Sequence, residues 1–254
     1  MIGDAVVAYC KHKCTELKGG DEIIKELARI HGYYEGRFID ELADVAREYV
    51  DAERERVSPA TLRNKLSYLR AACNYAKKFH GMGDVPDISL PVVRNERKEY
   101  ISRKEMIKIA RKCRDRHARA LIRLAFYSGM RLGEMMSLGK TSKILADGFH
   151  LVDTKNGEDR FAPMHPKIKI VCRFLPIPYS KIWMQRLIRR AMDSAGFKSL
   201  HLHDLRHSTA SNLVNAGADL YTVGVVLGHK DMRSTKRYSH LAKNTLNQAI
   251  LKIK

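Results

Sequence analysis

Apolar residues recur at helical spacing over residues 4–17, 21–31 and 37–54, with Gly19-Gly20 and Gly32 as breaks. The clearest helix follows. Ser58 suits an N-cap, Pro59 suits the first helical position, and Leu62, Leu66, Leu69, Cys73 and Ala76 mark one stripe for burial. Residues 81–98 lose the period and hold two glycines and two prolines, so they read as a linker with a domain boundary near residue 95. Beyond it, Ser102-Arg103-Lys104-Glu105 is a capping box, a helix over about 116–128 ends at Gly129, and a short helix begins near Leu132. Residues 149–153 and 160–164 read as strands around an Asn156-Gly157 turn, a small hairpin. Helical spacing resumes over 180–195, 204–216, 219–228 and 231–238, and a last amphipathic helix covers roughly 242–252. The pattern predicts a mainly α fold with a small antiparallel β-sheet, in two domains: 1–95, small and helical, and 96–254.

Composition narrows the class. The chain has 254 residues, 44% hydrophobic and 30% charged, enough to bury a core in each domain. No run approaches the roughly 18 apolar residues of a membrane span. The N-terminus lacks the basic-then-apolar pattern of a secretory signal, so a cytoplasmic protein is expected. The five cysteines, Cys10, Cys14, Cys73, Cys113 and Cys172, are scattered and odd in number and read as reduced thiols. The net charge is +19, and its placement matters more than its size. Residues 1–97 hold 16 Lys+Arg against 16 Asp+Glu, whereas residues 98–254 hold 31 against 12. A polyanion, nucleic acid before an acidic membrane, is the expected partner of such a surface. In the first domain Arg63, Lys65, Arg70, Lys77 and Lys78 lie mostly off the apolar stripe of their helix and are candidate phosphate contacts; an ordinary solvated face explains them equally well.

Three short patterns carry candidate chemistry. In YSGMRLGEM (127–135), Arg131 follows a glycine-ended helix, and Glu134 stands where it could hold the guanidinium. In HLHDLRHSTAS (201–211), His203 and Arg206 share a helical face, with His207 on the same side: a proton-transfer ring beside a phosphate fork. Zinc on His201, His203 and His207 is the chemical rival, disfavoured by Arg206 among them. In VLGHKDMRSTKRYSHL (226–241), Gly228-His229 closes a helix and Tyr238 follows nine positions after His229.

Taken in order, Arg131, the H-x-x-R of His203 and Arg206, the G-H of 228–229 and Tyr238 resemble the tyrosine recombinase (phage integrase) family across the whole basic domain. The resemblance implies a helical core-binding domain followed by a catalytic domain, and site-specific DNA cleavage and rejoining through a 3′-phosphotyrosyl link. It implies Tyr238 as nucleophile, Arg131, Arg206 and His229 as phosphate ligands, His203 as the group assisting proton transfer, and Glu134 as the companion of Arg131. The family's β-hairpin lysine corresponds to Lys155 in Thr154-Lys155-Asn156-Gly157, with Lys140 and Lys143 as fallbacks. The implied partner is double-stranded DNA carrying recombination sites, bound by a homotetramer whose tail helix docks on a neighbouring subunit, in the nucleoid of a bacterial or phage-host cell.

The chemistry is self-consistent. A phenol with a pKa of about 10 needs a base or a strongly positive site to become a nucleophile. Two arginines can take up the charge of the transition state, so no metal is expected; the implied 3′-phosphotyrosyl link conserves the bond energy, so no ATP is expected either, and the chain has no P-loop or other cofactor fingerprint. The implied task is integration or excision of a phage or mobile element. The alternatives are Xer-like dimer resolution, relaxation of supercoils by a type IB topoisomerase-like enzyme, or a DNA-binding relative without catalysis.

Overall fold

The computed structural model describes residues 1–93, 99–152 and 158–242. The chain divides into two compact units, Met1–Asn95 and Glu96–Lys254.

The first unit is all helical: α1 (Ile2–His12), α2 (Gly20–Arg29), α3 (His31–Tyr34), α4 (Leu42–Glu53) and α5 (Pro59–His80). The Ser58 hydroxyl accepts from the Thr61 N–H at 3.3 Å, Pro59 opens α5, and Gly81 closes it in the left-handed region at φ 62°. Leu62, Leu66, Leu69, Cys73 and Ala76 are all buried on one side of α5, facing a core that includes Ile2, Leu27, Leu42 and Val45. The helix expected over 4–17 stops at His12: Cys14 turns inward and is buried, and Lys13 pairs with Glu16 at 2.8 Å across a 3₁₀ turn. The one expected over 37–54 likewise splits, into a 3₁₀ turn at Ile39–Glu41 and α4.

The stretch read as a linker is only partly one. Ile88 is buried in the core of the first unit, and Met82, Val85 and Leu90 pack against it. Arg63 donates to the carbonyl of Pro91 at 3.1 Å and Lys77 pairs with Asp84 at 2.7 Å, so α5 holds this segment along its length. Its apolar residues lack a period because they lie extended on a helix rather than forming one.

The second unit contains α6 (Arg103–Lys112), α7 (Arg116–Ser128), α8 (Leu132–Ser137), strands β1 (Lys143–Ile144), β2 (Gly148–Leu151) and β3 (Arg160–Pro163), then α9 (Pro166–Lys169), α10 (Lys181–Ser194), α11 (Leu202–Asn215), α12 (Leu220–Leu227) and α13 (Arg233–Lys236). The capping box on α6 is formed in both directions, Glu105 N–H to Ser102 Oγ at 3.3 Å and Ser102 N–H to the Glu105 carboxylate at 2.7 Å. Helix α7 is the spine, with Ala118, Leu121, Ile122, Leu124 and Ala125 all buried. Thr209 of α11 donates toward the carbonyls of Ala125 and Phe126 at 3.1 and 2.9 Å, tying α11 to the end of that spine.

The sheet is antiparallel in the order β1-β2-β3, with His150 opposite Lys143 and Phe161. The two-stranded hairpin is therefore an underestimate: β1, only two residues long, carries no alternation and exists through its pairing with β2. Helix α9 and a 3₁₀ turn over Ile170–Phe174 were also not foreseen. The helix expected over 231–238 shrinks to α13, a single turn after which the Tyr238 N–H bonds back to Thr235 O at 3.0 Å. Among the described residues no helix is long and apolar enough to cross a membrane.

Candidate active site

Five segments of the second unit converge: the α7–α8 corner, the start of β3, the first turns of α11, the end of α12, and Tyr238 just after α13. Arg131 is the N-cap of α8. Its own N–H donates to Glu134 Oε2 at 2.8 Å, Nη1 to Glu134 Oε1 at 2.9 Å and Nη2 to the carbonyl of Gly228 at 3.1 Å. The guanidinium is thus clamped from two sides while its side chain stays 20% exposed.

Glu134 is 4% exposed and bound by a second arginine, Arg160, through Nη2 to Oε2 at 2.7 Å and Nε to Oε1 at 3.3 Å. Burial pushes the Glu134 pKa up, but Arg160 and then Arg131 outweigh it and hold the carboxyl below its ordinary value.

Arg206, on α11, is only 3% exposed. Its Nη1 donates to the carbonyl of Gly129 at 2.5 Å. That carbonyl is presented because Gly129 ends α7 at φ 63°, where an added Cβ would also lie 2.6 Å from Leu227. The Nη2 of Arg206 is buried with no hydrogen-bond partner among the described residues. Burial first, then the charge of Arg131, lowers the Arg206 pKa to about 9. A buried donor left unmet costs about 1–3 kcal/mol, more when charged. Two guanidiniums close enough for the charge of Arg131 to depress Arg206, which also has an unmet donor, make a cradle for an anion.

Tyr238 is 5% exposed among Ala210, Val214, Val223 and Leu227. Burial raises its pKa against the opposing pull of Arg237 and Arg206, so the phenol holds its proton. The ring that its hydroxyl touches is His207, at Nδ1. Burial, then the neighbouring His203 and Arg237, brings the His207 pKa down to about 4, so the ring is neutral at pH 7 and shares a hydrogen bond with the protonated phenol. His203, to which the resemblance attached proton transfer, stands exposed at the rim and meets His207 edge-on, centroids 5.0 Å apart and 85° between planes. Its pKa is also lowered, by what burial it has and then by Arg206. His207 is therefore the histidine in contact with Tyr238, one turn along α11 from His203.

His229, half-buried after Gly228, shares a hydrogen bond between Nδ1 and the hydroxyl of Thr235 at 2.8 Å. Burial, then Arg206 and Arg131, takes its pKa to about 4. With Nδ1 engaged, Nε2 is the nitrogen left to meet a ligand. Thr235 and Arg160 carry no mark in the sequence; Arg160 lies in RFAPM, remote in sequence from Glu134 and Val226, which it binds.

Lys155 lies outside the described residues, as does most of the tail read as a helix over 242–252. Lys140, before β1, and Lys143, its first residue, are both exposed. Among the described residues no group of three His, Cys, Asp or Glu side chains is placed to hold a metal ion. In the first unit Lys65 departs from its expected outward orientation: its Nζ is 3.2 Å from Glu26, with 13% of the side chain exposed. Arg63 and Lys77 are engaged as described above, Arg70 is half-buried, and Lys78 is exposed with its Nζ 5.1 Å from the Phe79 ring centroid.

The phage integrase family model matches residues 172–245, the stretch holding His203, Arg206, His229 and Tyr238. Tyrosine recombinase XerC of Lactobacillus delbrueckii subsp. bulgaricus is 25% identical over 225 residues, 76% of this chain and 76% of that protein. The XerC of Xanthomonas campestris pv. campestris is 26% identical over 250 residues, 87% of this chain and 78% of that protein. Among solved structures, a lambda integrase dimer bound to a core site superposes with TM-score 0.70 at 18% identity, covering 91% of this chain and 95% of that one. The Tn1549 transposon integrase in complex with transposon right end DNA gives TM-score 0.71 at 15% identity, covering 99% of both chains.

Proposed function

From the premise that this chain belongs to the tyrosine recombinase (phage integrase) family, we propose that it cuts and rejoins DNA at specific sites by attack of Tyr238 on a backbone phosphate. The observation that carries the proposal is the cradle of Arg131 and Arg206, with a buried unmet guanidinium nitrogen, beside a phenol already hydrogen-bonded to a neutral imidazole.

The step balances. The phenolic oxygen of Tyr238 bonds to phosphorus, the bond from phosphorus to the 5′-oxygen breaks, and the strand end stays on the protein as a 3′-phosphotyrosyl ester. The phenol proton passes to His207. The phosphate brings negative charge beside Arg206 and Arg237, whose positive charge helps hold the ring's pKa down, and so makes its protonation easier than in the free protein. Arg131, Arg206 and the Nε2 of His229 take up charge on the non-bridging oxygens, each worth roughly 3–4 kcal/mol if such donors behave as in oxyanion holes. Lys155 supplies the proton to the departing 5′-oxygen. The ester conserves the bond energy, so a second 5′-hydroxyl can reverse the step on a new partner strand.

The basic second unit and Arg70 and Lys78 of the first are the proposed DNA contacts. Four copies on two paired sites exchange strands, coupled through the tail at about 242–252, and the chain works in the cytoplasm on nucleoid DNA. The XerC relatives favour resolution of chromosome or plasmid dimers as its task, beside the integration or excision of a phage or mobile element implied by the sequence.

A nicked suicide substrate carrying the cognate site tests the chemistry. The wild-type chain should form a denaturation-resistant DNA adduct. Tyr238→Phe should form none while binding the same DNA within about twofold of wild type, as expected when only a transition-state contact is lost. Tight binding without an adduct would leave a DNA-binding relative. Equal adduct on random supercoiled plasmid would indicate a topoisomerase.

A further inference from the structure

We infer that Arg160, the first residue of β3, is a positioning residue for strand cleavage: it fixes both anchors of Arg131 and so sets the geometry of the phosphate cradle. The inference rests on the reading of this site as a phosphoryl-transfer centre.

Both supports of Arg131 pass through Arg160. One support is Glu134, and Arg160 grips that carboxylate on both oxygens, at 2.7 and 3.3 Å. Together with the backbone and side chain of Arg131, this places four donors on the two carboxylate oxygens, about the number they can accept. A carboxylate so filled has one orientation. Removing Arg160 frees it to rotate and take Arg131 with it. The other support is the carbonyl of Gly228, in the turn that closes α12. Arg160 holds that turn as well, donating from Nη1 to the carbonyl of Val226 at 3.1 Å. Its stem lies so close to Gly228 that a Cβ there would stand 2.5 Å from Arg160 Cδ. The next residue is His229, so the same strut places a third proposed phosphate ligand.

Charge separates this arrangement from an ordinary buried ion pair. One carboxylate is enough to pair Arg131. Arg160 adds a second positive charge beside it, close enough to press on Arg206 also. For the free protein that is a cost, since like charges are crowded in a buried space. For a protein awaiting a phosphate it adds attraction. Arg160 itself is 12% exposed with its fork committed to Glu134 and Val226, so it acts through Arg131 rather than on the substrate.

The test compares Arg160→Met, Arg160→Lys, Glu134→Gln and the Arg160→Met/Glu134→Gln pair in the adduct assay, with DNA affinity and thermal midpoint measured alongside. Arg160→Met should slow adduct formation about 100-fold, the order expected when a reacting group is misplaced by about an ångström. DNA affinity should stay within about threefold, because cradle geometry bears on the transition state more than on binding. Arg160→Lys keeps the charge but cannot fork, and should recover roughly a tenth of wild-type rate. The double variant should be no more than about threefold slower than the slower single, because both changes cut one support. Wild-type rate in Arg160→Met or in Arg160→Lys would overturn the inference, as would losses that multiply in the double variant, or a rate loss matched by lost DNA binding. If Arg160→Met does not fold, Arg160→Lys decides. A wild-type chain that forms no adduct refutes the functional reading instead, so the two failures are distinguishable.

Discussion

At pH 7 the rings of His207 and His229 are neutral because burial, then adjacent positive charge, holds each near a pKa of about 4. Unfolded, both would titrate at about 6.5. Folding therefore favours the unprotonated rings: the stability this provides is complete above about pH 6.5 and is lost as pH falls from there toward about 4. Replacing His207 with Gln should flatten the fall of the thermal midpoint over that window, by several degrees for a unit of this size. The same substitution should slow adduct formation by about 100-fold or more, the usual worth of a positioned proton acceptor. A variant whose midpoint falls with acid as steeply as wild type, and whose adduct forms as fast, would place the proton acceptor elsewhere, His203 being the next ring along α11.

Among elements, the turn at the end of α12 is tightly constrained. Gly228 sits at φ 66°, where L side chains are strained, and a methyl group there would collide with the stem of Arg160. Gly228→Ala should lower stability by roughly 1–3 kcal/mol and slow cleavage by displacing Arg160 and the carbonyl that holds Arg131. Chemical denaturation and the adduct assay read the two effects separately; an alanine variant with wild-type stability would mean the turn relaxes freely. Helix ends were legible in the sequence because their causes are local: Ser58, Ser102 and Gly129 act within one turn of where they stand. Strand β1 was not, since two residues without alternation become a strand only by meeting β2. Nor was the burial of Ile88 in the core of the first unit, where Arg63 of α5 also bonds to Pro91, 28 positions along the chain.

For the whole molecule, the relevant quantity is where the +19 lies. Excess positive charge in residues 98–254 predicts binding driven by release of counterions from DNA. If about six to ten phosphates are engaged, affinity should fall by about 10³–10⁵ between roughly 50 and 200 mM salt. Fluorescence anisotropy with a duplex across that range checks it. A nearly flat dependence would mean that the basic surface faces something other than DNA.

What the sequence determined by itself is the class of protein and most of the proposed machinery. Arg131, His203, Arg206, His229 and Tyr238 carry a spaced motif, and apolar periodicity with local caps is enough to indicate helices around them. What only the tertiary structure decided is how those side chains are held. His207 rather than His203 meets Tyr238, because the fold brings the segment after α13 under α11 at one particular turn. Arg160 joins Glu134 and Val226 from a strand that local pattern cannot connect to either. Lys65 turns to Glu26 because α2 places a carboxylate within its reach. Motif order and periodicity are properties of neighbours along the chain, whereas orientation comes from hydrogen bonds between segments far apart in it, and those exist only once the chain has folded.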